Sequence, residues 1–172
     1  MKTLLLGYRV GIGKAIYENL NVEGVGKETI DIDKIEESNF DFSPYDCVII
    51  NSYSEFTSQL KTLLYIAENV SKDTLIIVIG STSAYKTNPN DMDRLKYRLE
   101  KASIIRAGRD LISMGYNVSV ISPDTTDTHY NIDKTGPKLK PSDIADKISY
   151  IIENYKNGIL IDHLILRATD KK

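Results

Sequence analysis

The sequence predicts an α/β protein: a doubly wound parallel sheet with helices on both faces, folded as one compact domain over residues 1–172. Two observations lead to this class. Short runs that are apolar throughout alternate with segments whose apolar residues recur at helical spacing, as in parallel sheets that are covered on both faces. A chain of 172 residues is also the size of a single domain.

The elements follow in order along the chain. Strands are predicted at residues 3–7, 28–33, 46–52, 74–81, 116–123 and 159–166, with a short additional strand at 39–42. Helices are predicted over about 12–20, 54–70, 93–114 and 140–155, the third ended by Gly115 and the fourth opened by Ser142. Ligands of such sheets bind beyond the carboxyl ends of the strands, so residues directly after each strand are candidate site residues.

Composition argues against several classes of function. A net charge of −2 gives no electrostatic case for binding nucleic acid or an anionic membrane. No apolar run approaches the roughly 20 residues of a membrane helix, and no signal peptide is visible, so a cytoplasmic protein is expected. Cys47 lies in an apolar run and is expected to be a small buried side chain. With two histidines and one cysteine, no metal site is expected.

Three glycines stand between the first strand and the first helix, in "LLLGYRVGIGKAI". Gly7 follows the strand directly, and Gly11 and Gly13 lie at the start of the helix. Glycines at this position let the backbone approach a pyrophosphate, which the free N–H groups of the helix N-terminus then stabilise. The alternative is a tight strand-to-helix turn without a ligand.

Two carboxylates in the predicted second strand extend this interpretation. Asp31 and Asp33 lie 18 and 20 residues beyond Gly13, and an acid at this distance can accept hydrogen bonds from the ribose hydroxyls of a dinucleotide. It would also repel a 2′-phosphate, so NAD is slightly favoured over NADP. Arg9, inside the glycine turn, is a weak argument for NADP. The choice between Asp31 and Asp33 stays open.

Tyr97 and Lys101 lie four residues apart on the predicted third helix and therefore share a face. A nearby ammonium lowers the pKa of a tyrosine, which can then exchange a proton with a substrate oxygen. The preceding strand ends in "GSTSAY", where Ser83 offers a hydroxyl to the reacting oxygen. Thr82 fits the register of that strand almost as well. The alternative is an ordinary solvated helix face.

Taken together, these motifs resemble those of the short-chain dehydrogenases/reductases, which have a Rossmann-type fold. "GYRVGIG", which includes Ile12, is similar to the Gly-x-x-x-Gly-Ile-Gly turn of that family. The other matching positions follow in the same order along the chain: Asp41 near the adenine, Asn51 after the central strand, Ser83, Tyr97 and Lys101 as the catalytic trio, and Pro123 and Thr128 near the nicotinamide.

The resemblance implies an NAD(P)-dependent oxidoreductase that transfers hydride to or from a small carbonyl or alcohol compound. Tyr97 would be the general acid/base, Lys101 would hold the nicotinamide ribose, and Asn51 would steady the central sheet. It also implies a homodimer or homotetramer assembled through the second and third long helices.

The chain also departs from the family pattern. Only 32 positions separate Asn51 from Ser83, so a helix and its connections are expected to be missing, and the further catalytic asparagine of the family has no clear equivalent. These departures favour the alternative function, a dinucleotide-binding sensor or regulatory module that has lost catalysis.

Overall fold

A computed structural model describes residues 1–169, which form one parallel sheet with helices on both of its faces, so the predicted fold class is confirmed. The strands are β1 (Thr3–Leu6), β2 (Glu23–Val25), β3 (Cys47–Ile50), β4 (Leu75–Ile79), β5 (Asn117–Pro123) and β6 (His163–Leu166). The helices are α1 (Gly11–Asn19), α2 (Ser58–Asn69), α3 (Met92–Ser113) and α4 (Pro141–Lys156). The strand order is β2-β1-β3-β4-β5-β6, and every pairing is parallel.

The two faces of the sheet carry separate apolar cores. Successive side chains of a strand point to opposite faces, so in β3 Val48 and Ile50 pack with α2 and α3, whereas Cys47 and Ile49 pack with α1 and α4. All four of these residues are fully buried. Burial raises the pKa of the Cys47 thiol to about 12, so Cys47 is the small buried side chain that the sequence predicts.

The second strand is not where the sequence places it. Strand β2 is Glu23–Val25, and residues 28–33 form a turn that leads into a short 3-10 helix, Ile32–Glu37. The alternation of "ETIDID" is misleading because the Asp31 carboxylate accepts a hydrogen bond from the N–H of Asp33 and starts that helix. The predicted short strand at 39–42 is also wrong, and Phe42 is instead buried in the core on the α2 face.

The predicted helices are present with small differences at their ends. Gly115, at φ +89°, ends α3 as predicted. Helix α2 begins at Ser58 rather than near residue 54, and α4 begins at Pro141, so Ser142 lies within its first turn. The Asp143 carboxylate accepts the N–H of Lys140 at 2.8 Å and caps α4. Among the described residues, no helix is both long and apolar enough to cross a membrane.

Candidate active site

An open cavity of about 940 Å³ runs along the carboxyl-terminal edge of the sheet. Because all the strands are parallel, the residues that follow β1 to β5 meet at this edge. The cavity is lined by twelve of the predicted site residues: Gly7, Arg9, Gly11, Ile12, Asp31, Asp33, Asn51, Ser83, Tyr97, Lys101, Pro123 and Thr128. The structure therefore brings most of the predicted site together.

The turn between β1 and α1 presents backbone N–H groups to this cavity. Gly7 and Gly11 have positive φ angles of +83° and +55°, which residues other than glycine rarely adopt. The N-cap residue of α1 is Val10, and no side-chain hydrogen bond caps the helix. The first N–H groups of α1 and its dipole therefore remain available to an anion such as a pyrophosphate. The donors fit the phosphates of a dinucleotide.

Gly13 has a different role from the one predicted. A Cβ at this position would lie 1.8 Å from the carbonyl oxygen of Gly7 and 2.6 Å from Nδ2 of Asn51. Thus the group that approaches Gly13 most closely is the protein's own backbone. Asn51 Nδ2 donates to the same Gly7 oxygen at 2.8 Å, tying the end of β3 to the glycine turn. This bond holds Asn51 against the glycine turn.

The two predicted ribose-binding acids lie in the cavity wall but not at the end of a strand. The residues that directly follow β2 are Gly26 and Lys27, and the Lys27 ammonium lies 3.4 Å from Asp31 and 3.2 Å from Asp33. Arg9 pairs with Glu28 beside them. The reason given by the sequence for favouring NAD, an acid that ends strand two, is therefore wrong.

Asp41 is placed apart from the residues that line the cavity. The third strand that would carry it towards an adenine does not form, and its carboxylate instead accepts the N–H of Ser43 at 2.9 Å in an exposed turn. The implied contact with adenine does not fit this position.

Tyr97 and Lys101 project from α3 into the same part of the cavity. The Lys101 ammonium lies 5.2 Å from the ring centre of Tyr97 and 4.9 Å from that of Tyr53. Burial raises the pKa of Tyr97, and the nearby Ser81 hydroxyl partly opposes that increase. The net direction is opposite to the lowering predicted from the sequence, because burial is the largest effect on this pKa and Lys101 donates its hydrogen bonds to other partners.

Those partners form a buried polar network that sequence reasoning missed. Lys101 Nζ donates to Gln59 Oε1 and, at 3.4 Å, to the carbonyl oxygen of Ile79. Gln59 Nε2 in turn donates to the same Ile79 oxygen at 3.1 Å and to that of Ile50 at 3.2 Å. Burial lowers the pKa of Lys101 to about 8, and the nearby Glu100 carboxylate opposes the decrease.

Glu100 fixes the start of α2 and with it the position of Gln59. Its carboxylate accepts the N–H groups of Thr57 at 2.9 Å and of Gln59 at 2.8 Å, at the positive end of the helix dipole. Thr57 has a φ of +76°, a strained conformation for a β-branched residue. Only the fold brings Gln59 to Lys101, which is 42 residues away, so no spacing in the sequence could reveal the pair.

Three hydroxyl residues follow β4, and they have different partners. The Ser81 hydroxyl lies near Tyr97, whose pKa it lowers, and it accepts the N–H of Ser83 at 3.1 Å. Thr82 is buried and donates to Asp124 at 3.0 Å. Ser83 also lines the cavity. The sequence favours Ser83 among these three hydroxyls, whereas Ser81 is the one near Tyr97.

The segment that follows β5 lies against the glycine turn. A Cβ on Gly11 would lie 3.2 Å from Cγ2 of Thr128, so this segment and the turn are in near contact. Tyr130 also lines the cavity, whereas His163 on β6 contacts Ser122 at 2.9 Å in a structural position.

Comparison with solved structures supports the fold assignment. Similar structures include a small-chain dehydrogenase in complex with NADPH (16% identity, TM-score 0.73, 98% of this chain and 96% of the other). A serine dehydrogenase complexed with NADP⁺ has 14% identity and a TM-score of 0.72, over 100% and 98% of the two chains. A 3-alpha-hydroxysteroid dehydrogenase from a Pseudomonas species, complexed with NADH, has 14% identity and a TM-score of 0.68, over 96% and 94%.

These neighbours are consistently short-chain dehydrogenases/reductases, and this chain has their fold. No protein-family profile and no curated protein matches the chain by sequence.

Proposed function

We propose that the protein is an NAD(P)-dependent oxidoreductase of the short-chain dehydrogenase/reductase type, acting on a small carbonyl or alcohol compound. One observation carries the proposal: the uncapped N-terminus of α1 and the Tyr97–Lys101 pair line the same cavity. The helix N-terminus can bind the pyrophosphate of a dinucleotide, and the Tyr97–Lys101 pair can donate or accept a proton. Hydride transfer between a dinucleotide and a carbonyl or alcohol compound requires both.

In this proposal each side chain has a separate task. A bound nicotinamide dinucleotide would supply or accept the hydride. Tyr97 Oη would donate a proton to the carbonyl oxygen during reduction, and the Ser81 hydroxyl would hold that oxygen beside it. The Lys101 ammonium, directed by Gln59, would hold the ribose and keep positive charge beside the tyrosine. Ser83, the residue favoured from sequence, would lie further along the substrate path.

We propose NAD as the preferred cofactor, on grounds other than those of the sequence. The cavity end beside β2 holds two cations, Arg9 and Lys27, which are already paired with carboxylates. Those carboxylates are Glu28, Asp31 and Asp33, so this end has one more negative than positive charge. A pair of ribose hydroxyls suits such a surface better than a 2′-phosphate does.

A Tyr97→Phe variant tests the proposed reaction. We expect it to lower kcat/KM by about 10² to 10⁴, because the proton donor is lost, while cofactor affinity stays within about twofold. Tyr53→Phe is the matched control, because it removes a hydroxyl from the ring that meets Tyr97 edge-on at 5.2 Å. The measurements are cofactor oxidation with a panel of carbonyl compounds and calorimetric binding of the cofactor.

The alternative function is a dinucleotide-binding sensor without catalysis. The raised pKa of Tyr97 favours it, since a phenol that holds its proton more tightly is a weaker acid. If the protein binds cofactor but reduces no carbonyl compound, and Tyr97→Phe changes nothing, the sensor is the better description.

We also propose a homodimer or homotetramer assembled through α2 and α3. Each helix leaves a large apolar side chain exposed, Leu64 on α2 and Leu99 on α3. Light scattering of the wild type and of a Leu64→Lys, Leu99→Lys variant tests this, with a monomeric variant as the expected result.

A further inference from the structure

The cavity is longer than a dinucleotide site alone requires. The α1 N-terminus fixes where the pyrophosphate would lie, and Tyr97 with Lys101 fixes where the nicotinamide would lie. Beyond these groups the cavity continues between the segments that follow β4 and β5, where it is lined by Lys86, Asp124, Tyr130, Asn131 and Lys134. This remaining part is where a substrate would bind, so the inference rests on the proposed function.

Both lysines of this substrate end stand on tethered segments. Lys86 follows the 3-10 helix Thr82–Tyr85, and Arg98 Nη1 donates to the adjacent carbonyl of Thr87 at 2.8 Å. Lys134 donates its N–H to the carbonyl of Asn131 at 3.1 Å. The Asn131 side chain in turn donates to the carbonyl of Thr126 at 2.9 Å. These hydrogen bonds fix the backbone that carries each lysine, and both lysines line the same cavity.

Positive charge is in excess at this end. Asp124 lies 3.7 Å from Lys86, but its carboxylate is also engaged by the Thr82 hydroxyl and the Thr125 N–H. Across residues 1–169, no carboxylate lies within salt-bridge distance of the Lys134 ammonium. Partial burial and the charges of Lys86 and Arg94 lower the pKa of Lys134, as expected where cations gather without enough counter-charge.

We propose that the substrate carries an anionic group, a carboxylate or a phosphate, next to its reacting carbon, and that Lys86 and Lys134 bind this group. Such a group would balance the positive charge of the two lysines. Bound there, it would orient the reacting oxygen towards Tyr97 and Ser81. A charged anchor beside the reacting carbon also favours anionic over neutral compounds, because a neutral compound forms no ion pair with Lys134.

Direct binding tests this without turnover. Oxamate, which has the shape of a 2-oxo acid, and inorganic phosphate are titrated calorimetrically into the full-length protein, alone and with saturating NADH. We expect at least one of them to bind with a Kd of about millimolar or tighter, and Lys134→Met or Lys86→Met to weaken it at least about tenfold. Lys147→Met, an exposed lysine on α4, is the control and leaves the Kd unchanged.

Two pairs of compounds, each an anion and its neutral counterpart, distinguish a carboxylate substrate from a phosphate substrate. Pyruvate is compared with its methyl ester, and dihydroxyacetone phosphate with dihydroxyacetone. A preference for pyruvate within the first pair identifies a carboxylate, and a preference for the phosphate ester within the second identifies a phosphate. The preferred member should lose its advantage in the Lys134→Met variant.

The inference is overturned if the neutral member of each pair is turned over as well as the anion, or if the lysine variants bind both probes as the control does. Failure of the proposed function is a different result. In that case no pair is turned over and no cofactor binds, yet probe binding still depends on Lys86 and Lys134, which leaves an anion site without a dehydrogenase.

Discussion

The two ends of the cavity are built in different ways. The dinucleotide end comes mainly from one continuous stretch, residues 4–16, in which a strand, a glycine turn and an uncapped helix follow one another. The end that holds Tyr97 is assembled from distant parts of the chain, as in the bond between Lys101 and Gln59, 42 residues apart. The first end can be recognised in the sequence, and the second requires the fold.

The ends also differ in charge. Beside β2, Arg9 and Lys27 are each paired with carboxylates. At the substrate end, the described residues that line the cavity include two lysines, Lys86 and Lys134, and one carboxylate, Asp124. One end therefore suits the hydroxyls of a ribose, while the other suits an anion.

Gly13→Ala should cause the largest loss, because it disrupts the strand, glycine turn and helix that form the dinucleotide end of the cavity. The new Cβ would lie 1.8 Å from the Gly7 oxygen, and relieving that clash requires the turn to move. We expect the free energy of unfolding, measured by urea denaturation, to fall by about 3 kcal/mol or more.

Gly136→Ala is the control for this effect. Gly136 also has a positive φ, +94°, but an added Cβ meets open space among the described residues. It should cost about 1–2 kcal/mol, the strain of a left-handed conformation alone. Equal losses in the two variants would contradict the role given to Gly13.

The pH profile of kcat/KM tests the end of the cavity that holds Tyr97 and Lys101. Burial lowers the pKa of Lys101 to about 8, so its ammonium is present below that pH and is lost above it. Tyr97 has a raised pKa and titrates at higher pH, as does Tyr53, so an alkaline decrease near pH 8 belongs to Lys101. We expect activity to fall as pH rises through 8.

Substitution of Gln59 separates positioning from mere structure. Gln59→Leu should lower kcat/KM about tenfold, because Lys101 loses the acceptor that directs it. Gln59→Glu places a carboxylate against the ammonium and should move the alkaline limb upwards by about one pH unit. A limb that stays in place in Gln59→Glu would remove Gln59 from this role.

The smallest effect is expected at the exposed charges beside β2. Asp31→Asn removes one carboxylate near Lys27 and should improve NADPH affinity by about threefold, with NADH affinity nearly unchanged, since partly exposed charges are screened by solvent. Asp41→Asn, outside the cavity, is the control, and fluorescence titration measures both. An equal gain in the control would show that net charge alone matters.

The sequence predicts the class of fold because the buried strands have clear patterns. Runs such as Cys47–Ile50 and Leu75–Ile79 are apolar at every position, which only burial on both faces explains. Residues 28–33 mislead because their alternation is that of a strand, yet Asp31 bonds its own backbone two residues on. Local hydrogen bonding of this kind competes with a strand in a way that a periodic pattern does not reveal.

The candidate site is predicted unevenly for the same reason. Gly7, Gly11 and Tyr97 lie in short motifs whose spacing has a physical meaning, and all three line the cavity. Gln59 has no such spacing, and only tertiary packing brings it to Lys101 and brings Ser81 close to Tyr97.

Calorimetric titration of NADH into the wild type, Val10→Asp and Val10→Asn tests whether the α1 N-terminus binds a dinucleotide. Val10 is the exposed N-cap of α1 with extended backbone, so an aspartate there can cap the helix and stabilise it by about 1 kcal/mol. The same carboxylate repels a pyrophosphate from the N–H groups, whereas asparagine caps without the charge.

We expect the wild type to bind NADH and Val10→Asn to bind it more weakly. We expect Val10→Asp to be folded and at least as stable as the wild type, and to bind NADH more weakly by more than about tenfold. Equal NADH affinity in Val10→Asp and the wild type, or no binding by the wild type at millimolar NADH, would contradict the assignment of this cavity to a nicotinamide dinucleotide.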